Sequence, residues 1–200
     1  AEAVAAEIRS AGVKALAVPF DVTDLAAVRG AVAKAGAELA PVTVLVNNAG
    51  MAGPTAQMRL AKPFWEDDPG EWGKYMGTNL YGVFNCCHAA IPAMVAAQRG
   101  RIVTIVSDSG RGGEQRKAVY SAAKAGAAGF VRSIAKEVGR YNVTCNAIAL
   151  SSLQPPMEEE ALAAFLAGEQ SKAQLSRYTI RRYGTPDDVA GLTTFLCSQA

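Results

Sequence analysis

A phenol and an ammonium stand four residues apart in Tyr120-Ser-Ala-Ala-Lys124. On a helix that spacing sets them on one face, one turn from each other. A free phenol ionises near pH ~10 and carries protons poorly at neutrality, but a cation within ~4–6 Å favours the phenolate and lowers that value. Lys124 can supply the cation. A tyrosine tuned in this way moves a proton to or from a carbonyl or alcohol oxygen, an effect worth about 10²–10⁴ in rate. The same spacing also occurs as a packed ring beside a solvated amine, so the pair needs company to mean catalysis. Ser107 offers it, with a hydroxyl at the end of an apolar run thirteen residues before Tyr120.

The elements that must position these groups follow from the hydrophobic period. Lys14 to Phe20, Thr43 to Asn47, Arg101 to Val106 and Asn142 to Ala149 are rich in Val, Ile and Leu, as strands covered on both faces are. Between them, Thr23 to Ala40, Pro69 to Gln98 and Ala118 to Tyr141 read as helices. The alternation predicts βα units around a doubly wound, parallel α/β sheet. Ala1 to Arg9 carries helical spacing, Glu158 to Gln174 reads as a helical excursion, and Thr185-Pro186 is a helix start with Thr as N-cap.

Doubly wound sheets bind ligands outside the carboxyl ends of their strands. The residues there are Asp21-Val22, Asn47-Asn48-Ala49-Gly50, Ser107-Asp108-Ser109 and Leu150-Ser151-Ser152. A Gly after a buried strand, such as Gly50, lets the backbone approach a ligand closely or simply makes a turn. Gly77-Thr-Asn79 followed by Gly82 is a poor helix interior and predicts a local kink that frees a backbone carbonyl for water. Gly110-Arg-Gly112-Gly113 has the wrong spacing for a dinucleotide-binding turn and is predicted to open no immediate helix.

Composition narrows the function classes. Two hundred residues, 50% hydrophobic and 19% charged, support one core. The apolar runs are strand-length, as at Ile102 to Val106, far short of the ~18 residues of a spanning helix, so no membrane role is expected. A formal charge of +2 without a Lys/Arg stripe leaves nucleic acid an unexpected partner. Cys86, Cys87, Cys145 and Cys197 have no C-x-x-C spacing and read as buried small hydrophobes in a reducing, cytoplasmic compartment. No signal peptide is read. His88 has no partner at triad spacing. Glu66-Asp67-Asp68 and Glu158-Glu159-Glu160 read as a solvated turn and a helix start, so no metal is expected.

The ordered set Asn47-Asn48-Ala49-Gly50, Asn79, Ser107, Tyr120 and Lys124 closely resembles the short-chain dehydrogenase/reductase family, in its classical, β-ketoacyl-acyl-carrier-protein-reductase-like branch. The likeness runs essentially from end to end of the chain. It implies a single Rossmann-like dehydrogenase domain over residues 1–200. It implies Tyr120 as catalytic acid/base, Ser107 on the substrate oxygen, and Lys124 lowering the Tyr pKa while holding a nicotinamide ribose. Asn79 would complete the set through a water. Asp21 becomes the adenine partner with Val22 beside it, and Asn48-Ala49-Gly50 a wall of the cofactor site. The implied cofactor is NAD or NADP, and the partner a small-molecule carbonyl or alcohol substrate. The implied assembly is a homo-oligomer, dimer or homotetramer, pairing the two long helices through small residues such as Ala89, Ala90, Ala122, Ala125 and Ala128.

Three departures from the family pattern stand out. A first βαβ unit with the glycine turn, and a last strand, are expected to be missing, leaving the domain incomplete at both ends. Leu150-Ser-Ser-Leu153 stands where the family usually has Pro-Gly and then a Thr. Asp108 to Lys117 is a charged stretch at the expected substrate mouth, where Arg111, Arg116 and Lys117 would attract an anionic substrate such as an acyl thioester. The expected activity is interconversion of a secondary alcohol and a ketone, with a 3-oxoacyl thioester as first substrate class. The alternatives are a steroid or alicyclic alcohol dehydrogenase, or a catalytically silent binding subunit of the same fold.

Overall fold

The computed structural model describes residues 1–51 and 62–199. Three parallel strands, β1 (Val44–Asn47), β2 (Gly100–Ser107) and β3 (Val143–Leu150), form a sheet in that order, with Val44 opposite Arg101 and Gly100 opposite Val143. Parallel neighbours need long crossovers. Helices α1 (Glu2–Ser10) and α2 (Leu25–Glu38) precede the sheet, α3 (Pro69–Met76) and α4 (Gly82–Ala96) join β1 to β2, and α5 (Ser109–Gly112) and α6 (Ala118–Val138) join β2 to β3. After β3 come α7 (Glu159–Ala167), α8 (Glu169–Leu175) and α9 (Pro186–Cys197). This is the α/β, Rossmann-like class, with helices packed on a parallel sheet.

The central strand is buried almost throughout. Ile102 and Val106 of β2 meet Val83, Cys87, Ala90 and Met94 of α4 and Ala127 of α6 in one apolar core. Arg101, with the opposite parity, donates from Nε to the Ser198 carbonyl at the end of α9, 2.9 Å away. Four free cysteines are present; burial pushes the Cys87 thiol up to about 12, so it serves as core rather than nucleophile. Among the described residues no helix is long and apolar enough to cross a membrane.

Three expectations change and one is made specific. Residues 14–20 form no strand, because a strand exists by exchanging ladder hydrogen bonds and the described residues offer this segment no neighbour. The break expected within the long helix over 69–98 takes the form of a π-helical turn, Gly77–Tyr81, closed by a bond from the Gly82 N–H to the Gly77 carbonyl. The excursion after residue 158 is two helices, divided where Gly168 is extended at ψ 144°. Gly110 and Gly112 do lie in a helix directly after β2, one turn long, whose amides at 111 and 112 bond back to the Asp108 carbonyl at 2.9 Å. The start of α9 is as expected: Asp188 Oδ2 accepts from the Thr185 N–H at 2.7 Å and from its hydroxyl at 3.0 Å.

Candidate active site

The site grows from the carboxyl ends of β1 and β2 and the faces of α4 and α6. Lys124, on the inner face of α6, is only 6% exposed, and its Nζ donates to the Ile105 carbonyl of β2 at 2.9 Å. Burial pushes the ammonium pKa down. An ammonium has three donors, and among the described residues Ile105 takes one. The same Nζ lies 6.0 Å from the centroid of the Tyr120 ring, one turn back on the helix.

Asn79 sits within the π turn and is fully buried. Its Nδ2 donates to the Met51 carbonyl at 2.8 Å and to the Tyr75 carbonyl at 3.1 Å, while its Oδ1 accepts from the Met51 N–H at 3.1 Å. The kink expected at Gly77-Thr-Asn79 is therefore present, with the Tyr75 carbonyl accepting from the carboxamide itself. Asn79 pins the loop after β1, and Gly50 of that loop comes between the two side chains. A Cβ on Gly50 would lie 3.2 Å from Asn79 Oδ1 and 3.4 Å from Lys124 Nζ. A side chain here would crowd both polar groups. Asn48 and Ala49 are exposed beside it. Asn47 ties the strand end inward, its Nδ2 donating to the Thr104 hydroxyl at 3.1 Å.

Ser107 ends β2 with its hydroxyl held locally: it accepts from the Ser109 hydroxyl at 3.0 Å and from the Ser109 N–H at 3.3 Å, and donates to Asp108 Oδ1 at 3.4 Å. Sequence reading placed Ser109 at the strand end and Gly110 in a glycine run but gave neither a role in the site. A Cβ on Gly110 would fall 2.9 Å from the Ala125 backbone nitrogen and 3.1 Å from the Lys124 carbonyl carbon. That backbone approach sets the Ser107–Ser109 turn against the helix carrying Tyr120 and Lys124. Ser-x-Ser-Gly after a buried strand was the signal available for it.

Asp21 lies exposed at the rim, where its Oδ1 accepts from the Thr23 N–H at 2.8 Å and the Thr23 hydroxyl at 2.9 Å. These bonds, the backbone one first, hold its carboxyl below the usual range. The Val22 carbonyl accepts from Asn85 Nδ2 of α4 at 2.9 Å, which brings this segment beside the helix that continues from Asn79. His88 is exposed on α4. Of the three cations expected at the mouth, Lys117 is paired with Glu114 at 2.8 Å and Arg116 stands outside the cavity that Arg111 lines.

Residues 1–164 match the profile of the short chain dehydrogenases. The chain belongs to that family. It is 32% identical over 198 residues to a 3-oxoacyl-acyl-carrier-protein reductase of Staphylococcus aureus, covering 99% of this chain and 76% of that one. The structure of a 3-oxoacyl-acyl-carrier-protein reductase from Brucella melitensis superposes with a TM-score of 0.86 at 30% identity, covering 99% of this chain and 71% of that one. A gluconate 5-dehydrogenase from Burkholderia cenocepacia, solved with NADP and tartrate, gives 0.84 at 28% identity, with coverage of 98% and 73%. This dehydrogenase is thus an NAD(P)-dependent oxidoreductase acting on a small molecule.

The residues present fit one end of such a cofactor. Lys124 Nζ keeps two donors beyond its bond to Ile105, suited to a ribose diol, and the bare face of Gly50 lies beside it. The amides of Arg111, Gly112 and Gly113 are bonded to the Asp108 and Ser109 carbonyls and are not available as a phosphate cradle.

Proposed function

We propose that this chain is a single Rossmann-like domain that interconverts a secondary alcohol and a ketone, with Tyr120 moving the proton on the reacting oxygen. Bound NAD or NADP supplies or accepts the hydride at the substrate carbon. The Tyr120 hydroxyl donates to the carbonyl oxygen during reduction and takes the proton back during oxidation. Ser107, oriented by Ser109, hydrogen-bonds the same oxygen. Lys124 steadies the phenolate by its charge and binds the ribose hydroxyls. Asn79 keeps the Met51 loop closed around them. Asp21 and Val22 border the adenine end, and Asn48, Ala49 and Gly50 wall the nicotinamide side.

The observation that carries this reading is the convergence at Gly50, where a side chain from the π turn of one helix and a buried ammonium from another meet the loop after β1. A catalytically silent homologue has no need of a desolvated, carboxylate-free Lys124 directed at that loop. The proposed substrate is a 3-oxoacyl thioester, in line with the 3-oxoacyl-acyl-carrier-protein reductases of Staphylococcus and Brucella that the chain resembles. A short hydroxy acid is the second reading, because the cavity beside Ser109 is lined by Arg111, Asp108, Glu114 and Gln174. That polar lining disfavours a steroid.

Tyr120→Phe tests the assignment: turnover is abolished while NAD(P) binding persists, because the ring stays and the proton carrier goes. Turnover within a few-fold of wild type refutes it. The proposed assembly is a homo-oligomer, dimer or tetramer, formed through the outer faces of α4 and α6, where Ala122 and Ala125 are exposed; Ala90 is fully buried in the core and takes no part. A monomer by light scattering at micromolar concentration contradicts it. Free thiols suit the cytoplasm, which we propose as its compartment.

A further inference from the structure

Beside Ser107 a cavity of about 570 Å³ opens between the α5 turn and α8, with Arg111 on one wall and Arg177 on the other. Neither guanidinium has an ion-pair or hydrogen-bond partner among the described residues. Of the two carboxylates along the same lining, Glu114 holds Lys117 at 2.8 Å, and Asp108 has no cation partner among the described residues, so the two guanidiniums outnumber it.

Arg177 is held in place by a polar latch. Tyr178, next in the chain, accepts a bond from the Ser151 hydroxyl at 2.8 Å and donates to the Ser152 hydroxyl at 3.1 Å. Gln174, one turn before Arg177, donates to the same Ser152 oxygen at 2.6 Å and accepts from Tyr183 at 3.1 Å. The end of α8 is thereby moored to the carboxyl end of β3 by hydroxyls and an amide, at Leu150-Ser-Ser-Leu153, where the sequence departs from its family's usual Pro-Gly. A mooring of this kind restricts the backbone that carries Arg177 on the side of the cavity facing Arg111.

We propose that Arg111 and Arg177 form a two-sided subsite for an oxyanion of the substrate, a carboxylate or a phosphate. A guanidinium binds either one through two parallel, charge-assisted hydrogen bonds. The subsite rests on the alcohol–ketone reading only in that the anion belongs to the substrate whose oxygen meets Ser107 and Tyr120. Two sources share this chemistry: the carboxylate of a short hydroxy acid, and the phosphate of a thioester's carrier arm. Selection is then for charge at a fixed place beside the reacting carbon, and neutral ketones lack the anchor.

Calorimetric titration of the whole protein, with and without NADPH, tests this using gluconate, acetoacetyl-coenzyme A and the neutral polyol glucitol at constant ionic strength. Arg111→Gln and Arg177→Gln each weaken an anionic probe about tenfold or more, as loss of a charge-assisted hydrogen bond does. Arg→Lys at either position restores part of the affinity, and glucitol binding stays unchanged. A loss confined to gluconate identifies the short acid, a loss confined to acetoacetyl-coenzyme A identifies the carrier phosphate, and either supports the subsite. Failure of the wild type to bind both anions, unchanged affinities in both Gln variants, or an equal loss for glucitol overturns it. Tyr120→Phe is titrated alongside: it binds the anion normally whatever its turnover, so failure of the catalytic assignment leaves the subsite result standing.

Discussion

Asn79→Asp changes one atom's chemistry and almost no volume. In the native protein Nδ2 donates to two carbonyls, Met51 at 2.8 Å and Tyr75 at 3.1 Å, at a position with no exposure. Ionised aspartate puts a bare oxygen there, so two donated bonds become two oxygen–oxygen contacts, of which the protonated acid restores one as a bond. Leaving a buried carbonyl unpaired costs about 1–3 kcal/mol. Met51 is exposed, so water can reach its carbonyl and its share falls at the low end. The Tyr75 carbonyl, within the helix, carries the larger share, and together they give about 2–4 kcal/mol. For a chain of this length that lowers Tm by roughly 5–15 °C.

The sign with pH is fixed as well. Burial and the facing carbonyls favour the protonated acid, so the folded pKa at position 79 lies above the unfolded value of ~3.9. The folded variant then binds more protons than the unfolded chain, and its stability relative to wild type falls as pH rises from about 4. Paired thermal melts of variant and wild type between pH 4 and 8 read both effects. A variant within about 1 °C of wild type at every pH would show that Asn79 does not hold the loop, and the reasoning fails.

Lys124→Met removes an ammonium whose pKa burial holds down from 10.5. A lowered lysine binds fewer protons folded than unfolded, so wild-type stability rises with pH through the folded pKa up to 10.5. Denaturant unfolding shows the stability advantage of Lys124→Met shrinking over that window as turnover is lost; an advantage that grows with pH refutes the burial argument. Gly110→Ala forces a methyl against the α6 backbone at 2.9 Å, where nothing flexible can yield. The variant loses about 1–3 kcal/mol by overpacking, with a lower kcat as the Ser107 turn shifts. Unchanged melting and kcat refute the proposed role of that contact.

Much of the scaffold was legible in the chain, because β2 and β3 are rich in Val, Ile and Ala and Tyr120-x-x-x-Lys124 lies on a periodic helix. Residues 14–20 are as apolar as those segments and form no strand, since pairing is a property of the neighbour rather than of the segment. The weakness of the helix at Gly77-Thr-Asn79 was visible in its composition. That the chain answers it with a π turn, and aims the Asn79 carboxamide at Met51, is decided by the loop arriving from β1.

What the sequence by itself determined was the kind of chemistry: a phenol, an ammonium and a hydroxyl at spacings that local helix and strand geometry can converge. Tertiary structure decided which charges are available to it. Lys117 is removed from the mouth by Glu114 within its own turn, while Arg177, sixty-six residues beyond Arg111, is brought across the same cavity by the hydroxyls of Ser151 and Ser152. Tyr120 and Lys124 read out of the sequence because helical spacing fixes them. A placement across the cavity depends on where the end of α8 is moored, and hydrogen bonds between segments distant in the chain leave no periodic trace.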